Sequence, residues 1–196
     1  MRYAVLILTL TLPFADATAA ASPPATYGEV AALVARAEAA EITADEALEL
    51  VSAAPEGPLA GAAMGRLYVL RSGHASLSML KYMDIYRGFT ALNKYIADHR
   101  EDPLPRVWRA ASAVETKYVM WSISRTRDDI AAAAEYCRAD PALPDLTPRC
   151  KLLLGTMAKD DGDLEEALRL WAEAFAADPT GPAGREAAKL LALFTG

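Results

Sequence analysis

The chain has 196 residues, 26 acidic against 20 basic side chains and a formal net charge of −6, a balance that excludes general attraction to nucleic-acid backbones or to anionic membrane surfaces. Alanine is abundant, proline falls mostly between periodic segments, and no alternating run of Val, Ile and Thr follows residue 25. That pattern excludes a β-sheet and predicts an all-α fold.

The chain opens with Met1 and Arg2, an apolar stretch from Tyr3 to Phe14, and the small-residue run Ala17, Thr18, Ala19, Ala20, Ala21. This is the three-part pattern of a secretory leader. Its apolar middle is about a dozen residues, short of the roughly 20 needed to span a bilayer. The expectation is therefore a signal peptide over 1–21, cleaved after Ala19, Ala20 or Ala21, with no stable membrane span afterwards. Residues 22–196 then form a single domain, long enough for a real core, in the periplasm or outside the cell.

Helix starts are legible in order. Thr26 with Glu29 and Thr43 with Glu46 are capping-box pairs, and Asp163 with Glu166 is the aspartate version. Thr147 precedes Pro148, a cap followed by a proline suited to the first helical position. The predicted helices are 27–40, 44–54, 59–71, 76–99, 104–123, 127–138, 148–159, 164–176 and 183–194. Short connections favour antiparallel neighbours, giving four hairpins and a ninth helix that closes the row.

A small–bulky–small–proline order recurs along these helices. Ala167, Trp171, Ala174 and Pro179 show it, Ala132, Tyr136, Ala139 and Pro144 repeat its spacing, and Ala91, Tyr95 and Pro103 keep it with Asp98 in the second small position. Ala47, Val51, Ala54 and Pro58 follow with the proline one place early. Small residues let the second helix of a hairpin approach the first, the bulky one fills the groove, and proline ends the unit.

The last unit resembles a tetratricopeptide repeat. Leu154, Gly155, Ala167, Trp171, Ala174 and Pro179 occupy signature positions, and Asp161-Gly162-Asp163 supplies the turn, while Lys151 and Ala158 stand where larger residues are usual. Gly65 and Tyr68, then Trp108 and Ser112, look like the first-helix residues of earlier, lengthened units. The resemblance implies antiparallel hairpins stacked as a short, irregular, TPR-like right-handed superhelix with a C-terminal capping helix. It also implies a concave groove, lined by first helices, that accepts a segment of a partner protein or peptide.

Cys137 and Cys150 flank a proline-rich connection, and in an oxidising compartment they are expected to form a disulfide. Closing that loop would stabilise the fold by about 3 kcal/mol in the chain-entropy model. The alternative is two unpaired buried thiols.

No catalytic apparatus is visible: neither His74 nor His99 sits in a metal-ligand spacing, and the acidic cluster at 160–166 suits a turn and a helix cap. The chain therefore reads as a non-enzyme without metal or cofactor, binding protein and not nucleic acid. Aromatic and basic residues concentrate in the central segment, at Tyr82, Tyr86, Phe89, Tyr95, Trp108 and Lys117 among others. Most such aromatics build a core. The partner-binding choice is Tyr118, Trp121 and Arg125, placed on one first helix, with Arg149 on the next, because aromatic and arginine side chains dominate binding hot spots. The alternative function is a small-ligand carrier with an apolar pocket between the central helices.

Overall fold

The computed structural model describes residue 24, residues 26–139 and residues 146–195, with the side chains of 136–139 left out. The leader expected at 1–21, the side chains of Tyr136, Cys137 and Ala139, and Pro144 lie outside the described residues. Among those described, the chain is all-helical: α1 (Tyr27–Glu38), α2 (Ala44–Ser52), α3 (Ala60–Ser72), α4 (Ser78–Asp98), α5 (Pro103–Glu115), α6 (Ile123–Ala139), α7 (Thr147–Asp160), α8 (Leu164–Ala177) and α9 (Pro182–Thr195). None is long and apolar enough to cross a membrane.

The predicted starts of α1 and α2 are realised as full capping boxes, and the Asp163 side chain accepts from the Glu166 amide at 3.0 Å. Leu146, not Thr147, holds the cap position of α7. At α5 the cap is Asp102, which accepts from the Leu104 amide and, at 2.7 Å, from the Tyr27 hydroxyl, so the start of α5 also ties down α1.

Each even helix from α4 onward packs mainly on the odd helix before it, while α2 leans chiefly on α3. The odd helices also touch in succession: α1 on α3, α3 on α5, α5 on α7 and α7 on α9. One core therefore runs from Val30 and Val34 through Leu67, Leu92 and Trp108 to Met157, with smaller clusters around Phe89 and around Trp171.

Close crossings explain the tightest hairpins. A Cβ at Gly65 would stand 2.8 Å from the Gly88 carbonyl oxygen, and one at Gly88 would stand 2.7 Å from that of Gly65, so α3 and α4 meet backbone to backbone. In the last hairpin, Gly155 faces the Trp171 indole at 2.6 Å from its virtual Cβ, and Ala167, Trp171 and Ala174 are fully buried. The repeat pattern is less regular upstream. Ala91, Tyr95 and Ala132 are only half-buried, and Leu92 and Ala133 fill the core instead.

One predicted element is corrected. The helix expected over 104–123 ends at Glu115, and residues 116–122 form a loop before α6. Lys117 and Tyr118 both take left-handed backbone angles, with φ of 51° and 61°. The Tyr118 amide returns to the Ala113 carbonyl at 2.8 Å and the Lys117 amide to Val114 at 3.2 Å, which is a left-handed helix stop built without glycine.

Candidate functional site

The loop correction separates the four proposed binding residues. Tyr118 and Trp121 lie in the α5–α6 loop, Arg125 on the first turns of α6 and Arg149 near the start of α7. Tyr118 is half-buried and bridges the main core and the Phe89 cluster, directly over the helix stop that orients it.

Trp121 is the centre of a second arrangement. Its ring stacks on Phe89, with centroids 6.5 Å apart, and two guanidinium groups cover it, Arg109 at 4.1 Å and Arg125 at 5.0 Å from the centroid. Cations placed over an indole are held by its quadrupole, each by about 0.5–2 kcal/mol. Arg109 is fixed in turn by both oxygens of buried Asp129, at 2.8 and 2.6 Å, and by the Asn93 side chain at 2.7 Å. The Trp121 indole N–H is shielded from solvent with no acceptor among the described residues.

Beside this loop, the N-terminal half of α4 is unusually exposed. Met79 is 75% exposed, Tyr82 and Tyr86 are 61% exposed, and Leu77, Leu80 and Met83 are also open. On the loop side Val119, Met120 and Ile123 are exposed too. Tyr82 and Val119 line a common cleft of about 590 Å³ with Val69, Leu70 and Ile85 behind them. The two sets meet at that cleft through Tyr82 and Val119, and together they exceed the single exposed apolar residues normal on a soluble domain.

Arg149 belongs elsewhere. It pairs with Glu38 at the end of α1, and Glu38 also accepts from Arg66 Nε at 2.7 Å. Arg66, itself buried, reaches both oxygens of Glu115 at 2.6 and 2.5 Å and the Ser112 hydroxyl at 3.2 Å. This network links α1, α3, α5 and α7. Burial pushes the Glu38 carboxyl up, but the Arg149 and Arg66 guanidiniums outweigh it and bring it to about 2. Arg149 is therefore a structural cation whose charge is already matched.

Scanned against family models, curated proteins and solved structures, the chain matches none. Its site must be read from its own geometry.

The central aromatics fall into three groups by exposure. Phe89 and Trp108 are buried, Tyr95, Tyr118 and Trp121 are half-buried, and Tyr82 and Tyr86 face outward. Of the missed members, Met79, Leu80 and Met83 had one signal: the segment from Leu77 to Met83 is apolar except at Ser78 and Lys81, more than the stripe of a one-faced helix, whereas Val119 and Met120 had none. Among the described residues no group of three or more His, Cys, Asp or Glu side chains converges in a way that would hold a metal. His99 serves as the cap of α4, with Nδ1 3.1 Å from the Tyr95 carbonyl and its ring stacked on Tyr95 at 4.0 Å.

Proposed function

We propose that this chain is an exported helical-repeat adaptor of the tetratricopeptide type that holds a segment of a partner protein. The observation that carries this reading is the cluster of exposed apolar side chains on α4 and the α5–α6 loop, which meet at Tyr82 and Val119, with Trp121 and its two arginines in the same loop region. Surfaces of that extent and composition, rich in Met, Tyr, Trp and Arg, are typical of protein interfaces. The repeat assignment draws on the signature residues of α7 and α8 and on the succession of odd helices. The face proposed here lies on α4 and the α5–α6 loop, while the odd helices are joined by ion pairs of Glu38 with Arg66 and Arg149.

Export rests on the leader pattern, and on that reading Cys137 pairs with Cys150, whose side chain is buried. N-terminal sequencing of the protein from the envelope or medium should begin within residues 20–22.

A photo-crosslinking residue at Tyr86 tests the adaptor role in the native compartment. It should yield a reproducible protein adduct that the same residue at Lys189, on α9, does not; loss of any difference between the two sites removes the basis for the reading. A second reading, a small-ligand carrier, is favoured by the cleft between α3, α4 and the loop, whose volume falls in the range of ligand pockets. A compound retained in native mass spectra and expelled by Ile85→Trp would favour the carrier.

A further inference from the structure

The apolar face carries a charge pattern at odds with the rest of the chain. Acidic residues outnumber basic ones overall, yet the exposed charges on α4 before its last residue are Lys81, Arg87 and Lys94. Its internal carboxylate, Asp84, is buried and held through both oxygens by Arg71, at 2.8 and 2.7 Å. Arg87 reaches that occupied carboxylate only at 4.0 Å, and Lys81, Lys94 and Arg125 have no carboxylate within 4.0 Å among the described residues. By contrast Lys117, Arg127 and Arg149 are each matched by an acidic side chain.

Lys81, without a carboxylate partner among the described residues, and Arg87, which shares Asp84 with Arg71 at 4.0 Å, border the apolar residues of α4, and Arg125 covers Trp121 at the other margin. Glu115 also lines the cleft, but both its oxygens are taken by Arg66, so the exposed cations give this rim an excess of positive charge, which selects a partner of the opposite sign. It also disfavours a second copy of this chain across a twofold axis, since such an axis would bring the same cations together. The cleft behind Tyr82 and Val119 suits discrete side chains more than the flat surface of a lipid layer.

We propose that this face docks an acidic amphipathic segment of a partner protein, its apolar side chains lying against Tyr82, Met83, Tyr86 and Val119 and its carboxylates pairing with Lys81, Arg87 and Arg125. This rests on the adaptor reading and adds the chemistry of the partner. The exposed methionines suit such a surface, because their unbranched, polarizable side chains adapt to an apolar ridge.

The test is selection of a displayed library of random peptides on the mature domain and on the variant Lys81→Glu/Arg87→Glu/Arg125→Glu, whose changed side chains are exposed, with a cooperative urea transition required of the variant before it is used. The wild type should enrich apolar peptides with net negative charge, and the variant should lose affinity for them by about tenfold or more and enrich basic ones. A chosen acidic peptide should bind more weakly as salt rises. Enrichment of the same sequences by both proteins overturns the proposal. So does cosedimentation of the protein with phosphatidylglycerol vesicles without peptide enrichment, or a dimer in sedimentation equilibrium that blocks peptide binding. If the Tyr86 crosslink to a partner persists in the charge-reversed variant, the adaptor reading stands and the acidic chemistry fails; if no crosslink forms in either, both fail.

Discussion

Ala40, Lys117 and Gly162 perform the same task at the ends of α1, α5 and α7, each turning the chain with a positive φ of 56°, 51° and 88°. Only the third is glycine, so only the third helix end was marked in the sequence. A left-handed L-residue costs about 1–2 kcal/mol, partly offset by the lower entropy of its unfolded state. Ala40→Gly should therefore raise the free energy of unfolding and Gly162→Ala should lower it, each by about 1 kcal/mol, with matching shifts of the urea midpoint. Nothing lies within 4 Å of a Cβ at Gly162, so the second effect is conformational and not steric.

Glu38 supplies a second test at the same scale. Its carboxyl is held at about 2 against an ordinary value of 4.5. A depressed folded value means that the stabilisation is present in full above pH 4.5 and is lost as pH falls towards 2. The free energy of unfolding should drop by about 3 kcal/mol through that window on account of this group. Glu38→Gln should be less stable at pH 7 and should show a flatter decline in acid, as read by urea melts at successive pH values.

Between elements, the α3–α4 crossing is set by Gly65 and Gly88. A methyl group at Gly88 would meet Val69 Cγ2 at 2.6 Å and the Gly65 carbonyl oxygen at 2.7 Å, and a backbone carbonyl cannot step aside like a flexible side chain. Gly88→Ala should destabilise the protein by about 2 kcal/mol, measured by thermal or urea unfolding. The small residue that the repeat spacing selected in this unit was Ala91, which is only half-buried. Periodicity located the helix but not which of its small residues touches α3, since that depends on the register of two helices of unequal length. The α5–α6 loop was lost for a related reason. Lys117 and Tyr118 carry no local signal for a stop, and the loop is held by tertiary partners: Tyr118 between two core clusters, and Trp121 between Phe89 and Arg109.

Across the whole molecule, the Arg149–Glu38 pair joins residues 111 positions apart and closes a network through four odd helices. Removing Arg149 leaves Glu38 with Arg66 alone, a loss smaller than the ~3–5 kcal/mol of a fully buried pair broken on one side because Glu38 and Arg149 are only half-buried. Arg149→Met should lower the urea midpoint, and Glu38→Gln in the Arg149→Met background should cost less than Glu38→Gln alone, a coupling that a double-mutant cycle measures. At the same scale the apolar face of α4 should be dispensable for folding: Tyr82→Ser/Tyr86→Ser changes only exposed side chains and should leave the free energy of unfolding within about 0.5 kcal/mol of the wild type while abolishing the Tyr86-face crosslink placed at Met83.

The sequence by itself determined the all-α class, the positions of most helices and the chemistry of the last hairpin, because capping pairs, turn glycine and helical periodicity are local signals that need no partner to be read. It also grouped Tyr118, Trp121 and Arg125 on one helix with Arg149 on the next, whereas the structure sets Tyr118 and Trp121 in a loop, Arg125 on the following helix 5.0 Å from the Trp121 ring, and Arg149 apart on Glu38. Only the tertiary structure decided that Arg149 is matched by Glu38, that Tyr82 and Tyr86 face outward while Phe89 faces the core, and that Asp84 is taken up by Arg71 while Lys81 and Lys94 find no carboxylate among the described residues. Those distinctions depend on which distant residue arrives opposite each side chain, and burial and charge pairing exist only once the helices have packed.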